Sequence, residues 1–138
     1  MPVIDELIRT EEDGSISFGN YKLPQKAKKS DFEYQGDLYK VKTCKEITKL
    51  ERNDMFVYES VPGTTAKHFK ALDEGVEFSA CGDQDAQITV QMENDAEYEV
   101  YVNGAAVGSM RTNMSGKLSA SVELEEGTEV KVSAVRRA

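Results

Sequence analysis

Apolar and polar residues alternate with a period of two along most of the chain after residue 62. In residues 117–124, for example, the even positions are apolar and the odd positions are polar. A β-strand turns successive side chains to opposite faces, whereas a helix repeats every 3.6 residues, so this pattern indicates strands with one buried face. It predicts seven strands, at Ala66–Ala71, Val76–Ala80, Ala86–Met92, Glu97–Val102, Ala105–Thr112, Lys117–Leu124 and Thr128–Val135.

Turn residues separate these predicted strands. Asn103-Gly104 offers the two positive-φ positions of a tight hairpin. Glycine is also available in the segments around Gly75, Gly116 and Gly127. Seven short strands at such regular spacing predict an antiparallel, seven-stranded immunoglobulin-like or fibronectin-like β-sandwich over residues 63–138.

The first 62 residues are less regular, yet they also favour strands. Ser15–Phe18, Phe32–Tyr34, Leu38–Thr43 and Met55–Glu59 are rich in strand-forming residues. The segment Val61-Pro62-Gly63 resembles a boundary. The prediction is therefore an all-β chain, with a small N-terminal β-unit at 1–62 followed by the sandwich at 63–138.

Two short helices compete with this interpretation. Ile4, Leu7 and Ile8 have the spacing of an amphipathic turn. The sequence from Thr43 to Glu46 matches a capping box, and a short helix would then cover the residues that follow. For this second segment we prefer a hairpin that turns at 52–54.

The chain carries a net charge of −8, which disfavours binding to nucleic acid because a binder must neutralise phosphates. The cluster of Lys26, Lys28 and Lys29 is predicted to be a solvated linker. The N-terminal residues contain two acids and no long apolar run, so neither a secretory signal nor a membrane span is predicted. These features predict a cytoplasmic protein, and export without a signal peptide is the alternative.

Few residues suggest catalysis, metal binding or a cofactor. Cys44 and Cys81 are far apart and are predicted to be buried, reduced thiols. The single histidine, His68, is predicted to be exposed or to cap a chain end. The loop at Asp83 and Asp85 begins like a calcium loop but lacks the glycine and the glutamate that such loops require. The sequence thus predicts no enzyme, no cofactor and no metal.

Aromatic residues are the remaining candidates for ligand binding, because tyrosine rings stack on sugars while neighbouring polar groups bind hydroxyls. Tyr101 is predicted to point outward, and Tyr34, Tyr39 and Tyr58 lie in the N-terminal unit. The competing interpretation for each is packing in the core.

The stretch Glu97–Gly104, continuing through Thr112-Asn113 and Gly116–Ser119, resembles fibronectin type III-like and immunoglobulin-like accessory modules of bacterial proteins. Such modules serve as spacers or binding platforms. The whole chain, including residues 6–10, 16–21 and 59–64, is similar to small clostridial proteins of which some are labelled endosialidase. That label implies cleavage of sialic-acid polymers, although a sialidase propeller needs far more than 138 residues.

These observations together predict a non-enzymatic binding or structural module that contacts a protein partner or a second copy of itself. Exposed strand edges in a small β-protein favour such pairing. The alternative is a carbohydrate-binding accessory protein, and an endosialidase-like hydrolase is a more remote one.

Overall fold

Thirteen β-strands form the regular part of residues 3–137, which are the residues that the computed structural model describes. Their bounds are β1 (Ile8–Thr10), β2 (Ile16–Phe18), β3 (Ala27–Tyr34), β4 (Asp37–Thr43), β5 (Thr48–Arg52), β6 (Met55–Val61), β7 (Thr65–Leu72), β8 (Gly75–Cys81), β9 (Ala86–Gln91), β10 (Glu97–Val102), β11 (Ala105–Arg111), β12 (Lys117–Val122) and β13 (Glu129–Arg136).

These strands form two antiparallel sheets that pack face to face. Sheet 1 has seven strands in the order β1-β2-β7-β8-β13-β10-β11, and sheet 2 has six in the order β12-β9-β6-β5-β4-β3. Side chains from the inner faces of both sheets share one hydrophobic core. The predicted all-β sandwich is therefore confirmed.

All seven strands predicted after residue 62 are present, and the alternation gives the buried faces of β9, β10, β12 and β13 correctly. Leu118 and Val122 are buried in β12, whereas Ser119 and Ser121 are exposed. The division between the sheets is five to two, however, because only β9 and β12 join sheet 2. The immunoglobulin-like or fibronectin-like arrangement of these seven strands therefore stays a prediction.

Strands from both sides of Pro62 occur in each sheet. Strands β1 and β2 join sheet 1 through β7, and β6 pairs with β9 in sheet 2. The predicted units 1–62 and 63–138 thus do not correspond to separate sheets, and the boundary at Pro62 stays a prediction.

Three expectations for the first half need correction or confirmation. The possible N-terminal helix is absent from the described residues, since Leu7 has a φ of 72° and β1 begins at Ile8. The preferred hairpin is confirmed: β5 and β6 pair, with Asn53 and Asp54 at positive φ. The prediction of a linker was wrong for Lys28 and Lys29, because residues 27–34 form strand β3 at the edge of sheet 2.

One end of the core is aromatic. Phe18, Tyr58, Phe69 and Phe78 make edge-to-face or tilted contacts, with ring centroids 5.1–6.0 Å apart. The quadrupoles of such rings favour these arrangements over flat stacking. The rest of the core is built mainly from smaller aliphatic residues, which together with Phe78 surround a void of about 20 Å³.

Beside the aromatic end, the chain passes from β6 in sheet 2 to β7 in sheet 1 through residues 61–64, which we call the arch. The Val61–Pro62 peptide bond is cis. Tyr58 and Phe69, on either side of the arch, have ring centroids 6.0 Å apart, so the chain reverses direction here. A Cβ atom on Gly63 would lie 1.9 Å from the carbonyl oxygen of Cys44, so only glycine fits at this position.

Buried hydroxyl groups satisfy the backbone of the arch. Thr48 Oγ1 donates to the carbonyl oxygen of Thr64 at 2.7 Å and accepts from the Thr64 N–H at 3.1 Å. A hydroxyl has one proton to donate, so Thr43 Oγ1, 2.7 Å away, must donate to Thr48. The hydroxyls of Tyr58 and Ser60 each lie 2.7 Å from Thr64 Oγ1. This network fixes the point where the chain changes sheets.

Candidate functional site

Two of the four predicted tyrosines line one cleft. Tyr34 ends β3 and Tyr39 lies in β4, and their ring centroids are 5.6 Å apart at an interplanar angle of 67°. The Tyr34 hydroxyl donates to the carbonyl oxygen of Gly14, in the turn between β1 and β2. This bond joins the edge of sheet 2 to sheet 1 and closes one end of the cleft. Partial burial raises the pKa of Tyr34, so its hydroxyl stays protonated at neutral pH.

The other two tyrosines lie elsewhere. Tyr58 is fully buried in the aromatic core, and burial raises its pKa to about 12. No face of the ring reaches solvent, which agrees with the competing interpretation of packing in the core. Tyr101 is half-buried in β10, beside Ala106 and Ser133 on the neighbouring strands of sheet 1. It is therefore remote from the cleft.

The cleft between the sheets has a volume of about 310 Å³. Its apolar wall includes Phe69, Val57 and Met92, and four charged side chains lie around it: Asp13, Asp37, Arg52 and Lys70. The volume falls near the lower limit of ligand pockets, roughly 300 Å³.

The charged groups of the cleft differ in their contacts. Asp13 accepts two hydrogen bonds from Ser15, which lower its pKa from 3.8 to about 2. Asp37 accepts a hydrogen bond from the Asn53 amide at 2.9 Å. Within residues 3–137, the side chain of Arg52 makes no hydrogen bond or ion pair, and the residue is exposed. Its guanidinium group is thus available to a ligand.

Asp13, Ser15 and His68 are close together, but they do not form a catalytic triad. Ser15 Oγ and Asp13 Oδ2 lie 3.3 Å and 3.2 Å from the same histidine nitrogen, Nδ1. In a triad the serine and the acid contact opposite ring nitrogens, so that the imidazole can pass a proton between them. Ser15 is also buried and donates to Asp13 instead. This arrangement ties the β1–β2 turn to β7.

His68 is exposed, as expected, but its strand is irregular. It has a φ of 53°, and the register of β7 with β8 shifts between Lys67 and Lys70. Its backbone N–H donates to Ser17 Oγ. The predicted alternation, which put His68 on the same face as Ala66, therefore fails at this bulge.

A second candidate site is the side of the sandwich formed by β11 and β12, which we call the rim. Val100 of β10 and Leu118 and Val122 of β12 are buried and line the same small void, so β10 and β12 face the same part of the core. Strand β11 follows β10 at the end of sheet 1 and has no fully buried residue, which indicates that it extends past the edge of sheet 2. A Cβ atom on Gly108 would have no neighbour within 4 Å, which agrees with an uncovered inner face.

The two rim strands run in opposite directions. Thr112, just after β11, donates its N–H to Ala96 O, and Gly116, just before β12, accepts from the Met92 N–H. Ala96 and Met92 both belong to the turn between β9 and β10. Strand β11 thus runs toward this end of the sandwich and β12 runs away from it.

Strand β12 leaves backbone groups available at its outer edge. The bond from Met92 to Gly116 makes this an inter-strand hydrogen-bonded pair, and such pairs alternate along an antiparallel ladder. The even residues of β12 therefore bond to β9. The N–H and C=O groups of Ser119 and Ser121 point outward, away from β9.

The two edges at the opposite side are less suited to pairing. Strand β1 has three residues. Strand β3 carries Lys28 and Lys29, and its register shifts between Lys29 and Phe32, with Asp31 at positive φ. Short length, lysines and bulges are the usual means of preventing edge-to-edge association. By contrast, β11 has six uncharged residues, 105–110, and β12 has five, 118–122.

Sequence reasoning missed the charged cleft residues and the rim. Arg52 appeared only in the predicted turn at 52–54 and Asp13 was not singled out, because their proximity depends on how the sheets pack. The uncharged run at 105–110 was visible in the sequence. The sequence did not show which strands lie at the edge of a sheet.

The remaining chemical candidates have structural explanations. Cys44 and Cys81 are free and buried, as predicted. Asp85 of the possible calcium loop accepts a hydrogen bond from the Leu124 N–H, beyond the end of β12. In the described part of the chain, no three His, Cys, Asp or Glu residues are grouped to hold a metal ion. Residues 3–137 also contain no helix with the length and apolarity needed to cross a membrane.

Comparison with known proteins gave no match among protein-family models, curated proteins or solved structures.

Proposed function

We propose that this protein is a non-enzymatic structural module that associates with a second copy of itself through the rim. The observation that carries the proposal is the overhang of β11 beside the unpaired edge of β12. Each copy has one strand that projects and one edge that is recessed. Two copies can therefore fill each other's recess.

A two-fold axis parallel to the strands gives the required geometry. Rotation about this axis brings sheet 1 of one copy into line with sheet 2 of the other and leaves the strand directions unchanged. The β11 strand of one copy then lies beside β12 of the other, and these two run antiparallel. Both merged sheets would contain thirteen strands, seven from one copy and six from the other.

The chemistry of the rim agrees with this pairing. The outward N–H and C=O groups of Ser119 and Ser121 would find backbone partners on β11 of the second copy. Each β11 would also cover the inner side of the other β11, where Gly108 and Met110 lie. Exposed Val107 adds apolar surface at the edge. An isologous contact of this kind closes after two copies and leaves no open end.

Immunoglobulin-like and fibronectin-like modules, which residues 63–138 resemble in sequence, act as spacers or platforms in assemblies, and such a role is compatible with the proposal. The non-enzymatic part is supported by the geometry at His68, where Ser15 and Asp13 approach one and the same nitrogen.

Sedimentation of the purified chain over a wide concentration series tests the proposal. The mass should rise from 15.3 kDa toward twice that value. Ser121→Pro removes an outward N–H, and proline is tolerated where an edge N–H faces solvent, so this variant should fold yet dimerise about tenfold more weakly or not at all. Ser121→Ala keeps the N–H and is the matched control.

A second pair of variants examines β11. Val107→Lys places a charge on the projecting strand and should weaken the dimer. Met114→Lys places the same charge on the exposed loop between β11 and β12, where it should have no effect. A monomer at every concentration, or equal effects of Val107→Lys and Met114→Lys, would overturn the proposal.

A further inference from the structure

We infer that the cleft at Tyr34 and Tyr39 is a binding site for an uncharged carbohydrate. This site is distinct from the rim, because the residues that line the cleft belong to strands β2 to β8 and to adjoining turns. None of them belongs to β11 or β12.

The cleft presents an aromatic ring beside polar groups. Tyr34 is only partly buried, and Tyr39 supports it edge to face from behind. The Tyr34 hydroxyl bonds to Gly14 O, so the ring is held in one orientation. An aromatic ring fixed in this way offers a flat surface to the C–H groups of a sugar at little cost in side-chain entropy.

The cleft also contains both hydrogen-bond donors and hydrogen-bond acceptors. A sugar hydroxyl both donates and accepts, so its site needs both types of group. Arg52 and Lys70 supply donors, and the carboxylates of Asp13 and Asp37 supply acceptors. The lowered pKa of Asp13 keeps its carboxylate ionised throughout the neutral range.

The charge of the cleft and of the whole chain selects among carbohydrates. The two carboxylates and the two cationic side chains around the cleft cancel. The whole chain carries a net charge of −8, which repels acidic glycans. A neutral sugar therefore fits the cleft better than a sialylated or sulfated one.

A glycan array with neutral, sialylated and sulfated members, followed by calorimetry on the best neutral sugar, tests the inference. We expect binding to neutral members. Tyr34→Ala should lower the affinity about tenfold, since it removes the ring surface. Arg52→Ala, at an exposed side chain with no partner within residues 3–137, should lower it without affecting folding.

Tyr101→Ala is the matched control, because Tyr101 is also a half-buried tyrosine but lies away from the cleft. It should leave affinity unchanged. Thermal unfolding followed by circular dichroism establishes that each variant is folded. If Tyr34→Ala is unfolded, the affinity of the Arg52→Ala variant is the deciding measurement. Absence of neutral binding at high protein concentration, a preference for acidic glycans, or full affinity in the Arg52→Ala variant would overturn the inference.

Discussion

The core is packed with different residues near the arch and near the rim. Around the arch, four aromatic rings and a network of buried hydroxyls hold the point where β6 passes into β7. Around the rim, small aliphatic residues leave a void of about 20 Å³, and two strand edges are unpaired. Large, directional side chains thus lie where the chain itself must close the fold. Small uncharged residues lie where we propose that a second copy closes it.

The largest expected effect is at the aromatic end. Tyr58→Ala removes a fully buried ring that touches three other rings, so it should lower the free energy of unfolding by about 4 kcal/mol. Val100→Ala, at a buried position of the aliphatic end, is the rim counterpart and should cost about 2 kcal/mol or less. Urea unfolding measures both. Equal losses would remove the distinction between the two ends.

A smaller effect is expected from the hydroxyl groups. Thr48→Val keeps the shape of the side chain but leaves Thr64 without its buried partner, so it should cost about 2 kcal/mol. Ser119→Ala removes a hydroxyl that also lies 2.7 Å from another, Thr89 Oγ1, but at the exposed surface of the rim. That change should cost less than about 0.5 kcal/mol. If Thr48→Val proves equally mild, the hydroxyl network does not stabilise the arch.

The smallest expected effect depends on pH and concerns the turn beside the cleft. Hydrogen bonds from Ser15 lower the pKa of Asp13 from 3.8 to about 2 in the folded protein. Because the folded state holds the ionised carboxylate more firmly than the unfolded state, this contribution is complete above the unfolded pKa and is lost as the pH falls through about 2. The stability difference between wild type and Asp13→Asn should therefore shrink on acidification. A difference that is constant with pH would contradict the assignment.

The local pattern of the chain predicted much of this fold. Alternation located all seven strands after Pro62, and the Asn103-Gly104 turn was identified because its residues favour positive φ. The hairpin that turns at 52–54 was preferred over a short helix and is present. Local signals were weaker where packing overrides propensity. The capping-box match after Thr43 did not produce a helix, since the Thr43 and Thr48 hydroxyls bond to each other in the core.

The candidate sites were only partly predictable. The four tyrosines were chosen by residue type, and the structure brings together Tyr34 and Tyr39, buries Tyr58 and leaves Tyr101 apart. Their fates differ because a period of two says which side chains share a face, but not which faces meet. Arg52 enters the same cleft although it is distant in sequence from the Asp13 turn.

The sequence by itself determined that this chain is built from short antiparallel strands, and which side of most of the later strands is buried. Side-chain periodicity and turn chemistry are local properties, and they act on the chain before it folds. The tertiary structure alone decided the order of strands in the two sheets, the overhang of β11, and the meeting of Tyr34, Arg52 and Asp13 in one cleft. Strand order depends on non-local hydrogen bonding and on how two sheets bury a shared core, and neither is encoded in the spacing of neighbouring residues.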